Sequence, residues 1–277
     1  MFSKKTGIGL GAVAGLLASA GRALADPQPW QLGFQPAVTP VMQDIEDFHR
    51  LLLYIITAVS LFVLVLLLWI AVRYNKRMNP IPSKVSHNTV LEVMWTIVPV
   101  IILVFIAIPS FRLLYFEGTI PKADVTVRAI GKQWFWSYQY PGQGDWEMDS
   151  QGLSDVNAKK ANKPRLLGVD NPIYVPVNKT VVVQTTGADV IHSWTVPAFG
   201  LKMDAVPGRI NTTWFKATKT GVYYGECSEL CGARHAFMPI EVHVVSQADY
   251  DQWLAHAKKK YADNGSTGDA TRLAAAR

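Results

Sequence analysis

Two long apolar runs divide the chain. Leu51 to Val72 reads LLLYIITAVSLFVLVLLLWIAV, 22 residues without a charge. As a helix that run reaches roughly 33 Å, enough to cross the hydrocarbon layer of a bilayer. The second run, Val90 to Tyr115, holds Glu92 near its start, Pro99 and Pro109 inside it and Arg112 towards its end. It reads as a slightly interrupted spanning helix, because neighbouring groups in a membrane can satisfy the backbone atoms a proline frees. The two helices are expected over about 50–73 and 90–115. Between them Arg73, Lys76, Arg77 and Lys84 form a basic loop of the kind retained in the cytoplasm. A shorter apolar stretch, Gly7 to Ala20, follows Lys4 and Lys5 and precedes Ala23-Leu24-Ala25. It is too short to span and reads as a cleaved secretory signal over 1–25. Signal and loop charge agree in placing Asp26, and everything after about Phe116, outside the cytoplasm.

After Pro121 the pattern shortens to β-rich runs separated by Gly, Pro and Asn. They are Val125 to Gly131, Trp134 to Tyr140, Ile173 to Val177, Thr180 to Thr186, His192 to Val196, Ile210 to Ala217, Val222 to Glu226 and Met238 to Val245. Short strands at this spacing predict a β-sandwich or barrel. The polar stretch Gly142 to Lys163 reads as an insertion or long loop. Ser246 followed by Asp249 predicts a capped amphipathic helix running to about Tyr261, and 262–277 reads as a disordered tail. The expected division is therefore 26–118 for the first segment and both helices, and 119–261 for an exported β domain with its last helix. There is no internal repeat.

The net charge of +6 would suit an acidic partner or an anionic membrane surface. Several of the positive residues lie in the signal, the loop and the tail, so the total does not identify a binding face. Membrane lipid is the expected surround, and no nucleic acid is expected.

The only two cysteines are Cys227 and Cys231, in GECSELCGARHAFM. A disulfide is one reading in an oxidising compartment. Against it, His235 and Met238 follow at once, so a single loop offers two thiolates, an imidazole and a thioether. Zinc would take the first three but has little use for a thioether; soft sulfur with imidazole selects copper. A mononuclear blue-copper site uses one thiolate, whereas two thiolates can bridge two metals if a second imidazole comes from elsewhere. His192, in DVIHSW at a strand start, is its natural source. His243 alternates within a strand, and His49, His87 and His256 lie far along the chain.

Four stretches together, LEVMWTIVPV, GKQWFWSYQY, DVIHSWTVPAFGLKMDAVPGR and GVYYGECSELCGARHAFMPIEV, closely resemble cytochrome c oxidase subunit II, over about Val41 to Trp253. The resemblance implies a two-helix transmembrane hairpin followed by an all-β cupredoxin-like sandwich. It implies that Cys227 and Cys231 bridge two coppers, with His192 and His235 as terminal ligands and Met238 and the Glu229 carbonyl axial. The Glu229 side chain would also bind magnesium at the boundary with subunit I. Trp134 maps onto the electron entry point from cytochrome c. Its companions Trp136, Tyr138 and Tyr140 share a strand face and read as packing. Asp170 and Asp189 match the docking acids and Asp204 is a further candidate. Gln139 and Ala188 depart from the family's acids, for which Asp145, Glu147 and Asp149 could compensate.

Glu92, the one acid in the second run, matches a glutamate at the mouth of a proton pathway in subunit I. The implied activity is electron transfer from cytochrome c through a copper pair to haem in subunit I, for oxygen reduction to water coupled to proton pumping. Subunits I and III are the implied partners, in a bacterial inner membrane, and no oxygen-reducing site lies in this chain. A membrane-anchored copper-delivery protein is the rival reading. A quinol-oxidase subunit II would lack the two cysteines.

Overall fold

The first apolar run forms helix α1, Pro40–Arg73, and the second forms α2, Thr89–Gly118, in a computed structural model that describes residues 28, 30–144 and 146–261. The expected signal over 1–25 and tail over 262–277 lie outside the described residues, as does Asp145. Mean hydropathy reaches 3.0 in α1 and 2.6 in α2, and neither apolar stretch is buried within the chain. Such surface requires lipid or protein cover.

α1 begins well before the expected start near residue 50. The Thr39 hydroxyl accepts the Met42 N–H at 3.1 Å, and Pro40 takes the first helical position, where its missing N–H is not needed. Asp44, Glu46, Asp47 and Arg50 then occupy the early turns, so the helix starts in a polar segment that hydropathy alone does not register. Asn88 caps α2 by accepting from Val90 and Leu91.

Beyond α2 come two five-stranded sheets. The first has strands β1 (Val125–Lys132), β2 (Phe135–Gln139), β3 (Glu147–Ser150), β5 (Val181–Gly187) and β8 (Asn211–Phe215), ordered β3-β2-β1-β5-β8. The second has β4 (Ile173–Pro176), β6 (His192–Val196), β7 (Leu201–Ala205), β9 (Gly221–Cys227) and β10 (Pro239–Val245), ordered β4-β10-β9-β6-β7. β1 runs parallel to β5 and β4 parallel to β10; the other pairs are antiparallel.

Period-two alternation sends Val127 and Ala129, Trp136 and Tyr138, Val181 and Val183, Trp194 and Val196, and Ile240, Val242 and Val244 into one buried cluster between the sheets. Burial of each large apolar side chain there stabilises by roughly 1.5–3 kcal/mol.

Two expectations need correction. The stretch 142–163 is more than a loop: β3 pairs with β2, and a short helix α3 spans Asp155–Lys160. In β3 only Met148 and Ser150 turn inward, so its polarity hides the alternation. β7 is likewise absent from the strands that alternation predicts, because between the buried Leu201 and Ala205 it presents Lys202 and Asp204 at a sheet edge.

The sandwich is fastened to the start of α1 and the end of α2. Val38 enters the core, with its carbonyl accepting Thr218 N–H at 2.8 Å and its N–H donating to Ala198 at 3.2 Å. The Thr39 hydroxyl donates to Phe199 O at 2.7 Å. Val41 and Ile45 cover Val182 and Trp214 on the outer side of the first sheet. Trp214 donates to Glu117 O at 3.2 Å and meets Phe116 edge-on. Gly200, at φ +72°, lets α1 approach, since a Cβ there would sit 3.1 Å from Met42 Cα. The basic loop consequently lies at the far ends of both helices.

The last helix, α4 (Gln247–Tyr261), buries Tyr250, Leu254, Ala257 and Tyr261, and its expected cap forms, with Asp249 N–H donating to Ser246 Oγ at 3.2 Å.

Candidate metal centre

β9 ends at Cys227 and β10 begins at Pro239, and the loop between them turns back over the start of β6. Cys227 N–H donates to Met238 O at 3.0 Å and Ser228 N–H to Ser193 O at 3.0 Å, which pins the loop to both neighbours. His192, Cys227 and Cys231 are all buried, with their ligand atoms within 4.8 Å of one another. The two sulfurs are 3.8 Å apart. Both cysteines are free, since a disulfide needs about 2.05 Å.

His192 Nδ1 lies 3.9 Å from Cys227 Sγ, and His235 Nδ1 lies 3.6 Å from Cys231 Sγ. The Glu229 carbonyl sits 3.4 Å from Cys227 Sγ, while the residue itself is exposed. Met238 is 1% exposed and belongs to the core beside the cysteines. Gly131 of β1 gives His192 its place: a Cβ there would meet the imidazole Cδ2 at 2.6 Å.

The electrostatics leave room for a cation. Burial opposes ionisation of Cys227, but the His192 imidazole, the backbone at Glu229 and Ser193, and His235 together more than offset it and lower the thiol pKa. Burial raises Cys231, and the neighbouring Cys227 charge raises it further. The first proton therefore leaves readily and the second is held back by repulsion between two close anions. Among the described residues no lysine or arginine hydrogen-bonds either sulfur. A bound metal would supply the missing positive charge. At metal–sulfur distances near 2.3 Å, two sulfurs 3.8 Å apart can both reach the same ion. The donor set of thiolates and imidazoles fits copper.

Trp134 is separated from its stripe companions. Trp136, Tyr138 and Tyr140 are essentially fully buried, whereas Trp134 precedes β2, is half-buried, and donates its indole N–H to Cys231 O at 3.1 Å.

Asp189, expected at a docking face, is exposed, and its carboxylate also bonds the site. One oxygen meets His192 Nε2 at 2.9 Å and accepts Val190 N–H at 2.7 Å, and the other accepts Gln133 N–H at 2.7 Å. These bonds and the imidazole lower its pKa against the burial that would raise it. They also raise the His192 pKa: burial pushes the imidazole down, and Cys227 and Asp189 outweigh that.

The other expected residues lie elsewhere. Exposed Asp170 accepts from Gln151 and Asn171, and exposed Asp204 sits on edge strand β7. Glu147 is committed to Lys132 at 2.6 Å and Gln139 at 2.9 Å. Glu92, half-buried, occupies the first turn of α2, where the helix dipole favours an acid.

Two features escape the sequence reading. Gln133, whose amide donates to Cys231 O at 2.9 Å, leaves no signal in the sequence. The buried Glu241 bonds His243 at 2.7 Å and Lys163 at 3.0 Å; the shared strand face of Glu241 and His243 in PIEVHVV could have revealed that pair.

Residues 125–245 match the family described as cytochrome c oxidase subunit II, periplasmic domain, and residues 27–113 match cytochrome c oxidase subunit II, transmembrane domain. A Rickettsia bellii protein described as "Probable cytochrome c oxidase subunit 2" is 53% identical over 241 residues, covering 87% of this chain and 89% of that protein. Cytochrome c oxidase subunit 2 of Cereibacter sphaeroides is 44% identical, covering 91% of each. The crystal structure of the periplasmic domain of cytochrome oxidase subunit II from Bradyrhizobium japonicum is 57% identical, with TM-score 0.48, covering 52% of this chain and 99% of that one. Matched in both its membrane-spanning and its β portions, the chain belongs to the cytochrome c oxidase subunit II family, whose members are membrane-anchored, copper-binding subunits of a haem–copper oxidoreductase complex.

Proposed function

We propose that the β domain holds a binuclear copper centre that takes electrons from cytochrome c and passes them to haem in subunit I. The observation that carries this is the pair of free, buried sulfurs 3.8 Å apart, each with an imidazole nitrogen within 4 Å. Cys227 and Cys231 would bridge two coppers, His192 and His235 would each complete one of them, and Met238 and the Glu229 carbonyl would serve as weak axial groups. The bound pair would supply a one-electron store.

The rest is work for the chain's own residues. The buried cysteines and the loop's strand contacts hold the ligands so that little need move between redox states. Trp134 offers a half-buried aromatic surface whose indole N–H is bonded directly to a ligand residue's carbonyl, a short covalent and hydrogen-bonded route for an arriving electron. Asp170, Asp189 and Asp204, all exposed, are available to steer a basic partner. The Glu229 side chain, leaving the metal loop towards solvent, would hold magnesium against subunit I. Glu92, at the end of α2 remote from the β domain, would stand at a proton entrance. Charge in the loop between α1 and α2 supports an orientation with that loop in the cytoplasm and the β domain in the periplasm of a bacterial inner membrane. A cleaved signal over 1–25 fits this export, and subunit III completes the expected assembly.

The test is Cys231→Ser in the assembled oxidase. Copper per chain should fall from two to one or fewer, and electron input from cytochrome c should be lost; two retained coppers with unchanged transfer would refute the bridged site.

A further inference from the structure

Gln133 stands at the hairpin tip between β1 and β2 and is exposed, and the electron-relay reading leaves it without a role. Its hydrogen bonds nevertheless run to both sides of the metal cluster. Its backbone N–H donates to Asp189 Oδ2 at 2.7 Å, and Asp189 Oδ1 in turn meets His192 Nε2 at 2.9 Å. Its side-chain Nε2 donates to Cys231 O at 2.9 Å, the carbonyl that also accepts the Trp134 indole N–H at 3.1 Å. One residue thus links, through a single carboxylate on one side and directly on the other, an imidazole at the start of β6 to the backbone carbonyl of a cysteine in the β9–β10 loop.

We infer that Gln133 is a positioning residue which, with Asp189, forms a brace fixing His192 relative to Cys231 and seating Trp134 against the ligand loop. This rests on the electron-relay reading above and goes beyond it. Three features support a brace over a partner contact. The Gln133 amide is neutral and its donor is turned onto a backbone carbonyl of the protein. Both Asp189 oxygens, although the residue is exposed, bond within the chain, to His192, Val190 and Gln133, which fixes the carboxylate in place. His192 is fully buried and closely fitted over Gly131, so the Asp189 bond decides which nitrogen faces the sulfurs. A bond from one ring nitrogen to a carboxylate fixes the tautomer and raises the basicity of the other nitrogen as a ligand. The brace acts before any partner arrives, because every bond in it is internal.

The experiment uses the assembled oxidase carrying Gln133→Met, of similar length but without a donor, then Asp189→Asn, then both. Wild type is first assayed for two coppers sharing one unpaired electron; failure there would sink the relay reading itself, an outcome distinguishable from failure of the brace. With that in place, Gln133→Met should release copper to a chelator roughly tenfold faster and alter the electron spin resonance hyperfine pattern. The salt dependence of cytochrome c binding should stay as in wild type. Asp189→Asn, read by copper retention, should act similarly, and the double variant should fall well short of the product of the two single effects, because either change breaks the same link. Gln133→Glu, which sets an acceptor against the Cys231 carbonyl, should exceed Gln133→Met and serves as second variant. The brace is refuted if both Gln133 variants keep wild-type copper retention and hyperfine pattern, if only cytochrome c affinity changes, or if the two single effects multiply.

Discussion

Two buried polar clusters sit in the same sandwich, and they differ in how their charge is closed. Around Glu241 the protein supplies everything: Lys163 Nζ at 3.0 Å and Val169 N–H at 2.9 Å on one oxygen, His243 at 2.7 Å on the other. Around Cys227 and Cys231 it supplies imidazoles, a carbonyl and no lysine or arginine among the described residues. A cluster neutralised internally ties a distant segment to the fold. A cluster left short of positive charge remains costly until a cation enters, which marks it as a binding site.

The comparison can be broken by exchanging the outcomes. The largest effect should follow Cys227→Ser: electron input from cytochrome c should fall about a hundredfold, measured by stopped-flow reduction, while the metal-free chain keeps its unfolding midpoint because Asp189 still faces the His192 imidazole. Glu241→Ala should do the opposite. It strands the Lys163 ammonium and should destabilise by about 3 kcal/mol, read as a lower thermal midpoint, with the copper spectrum of the folded protein unchanged.

Trp134→Ala should slow electron arrival roughly tenfold, equivalent to about 1.4 kcal/mol, and spare the metal spectrum. A lost spectrum would mean that the indole holds the loop rather than carrying electrons.

The smallest effect concerns acid. Burial would raise the Glu241 pKa, but the facing His243, Val169 N–H and Lys163 more than offset it, and the folded value lies below the ordinary 4.5. Its contribution is therefore complete above that ordinary value and fades as pH falls through the lower folded value. Thermal midpoints measured downward from pH 5 should decline in wild type and flatten in Glu241→Gln. An unaltered slope would contradict the assignment.

How much of this is legible in the chain depends on distance along it. The two helices announce themselves because lipid-facing residues are apolar all round, although α1 starts earlier, where Thr39 and Pro40 cap a charged segment. Strands with one buried face follow from alternation, whereas β3 and β7 present charges outward at sheet edges and offer too few apolar positions to count. The metal loop is readable because Cys227, Cys231, His235 and Met238 share one short stretch, and His192 enters as the imaginable second imidazole. Asp189 reads as a surface acid in the sequence and holds His192 in the fold. Gln133 and the Lys163–Glu241 pair cannot be read, because they exist only once a hairpin tip or an inserted segment lands on a strand far away in sequence.

The central claim, two coppers clamped by two shared sulfurs, is tested most directly by electron spin resonance with copper quantification on the intact oxidase. Two coppers per chain, with the hyperfine coupling of one unpaired electron divided equally between two nuclei, is the predicted result. A signal from one isolated copper, or active protein whose Cys227 and Cys231 are joined to each other, would contradict it.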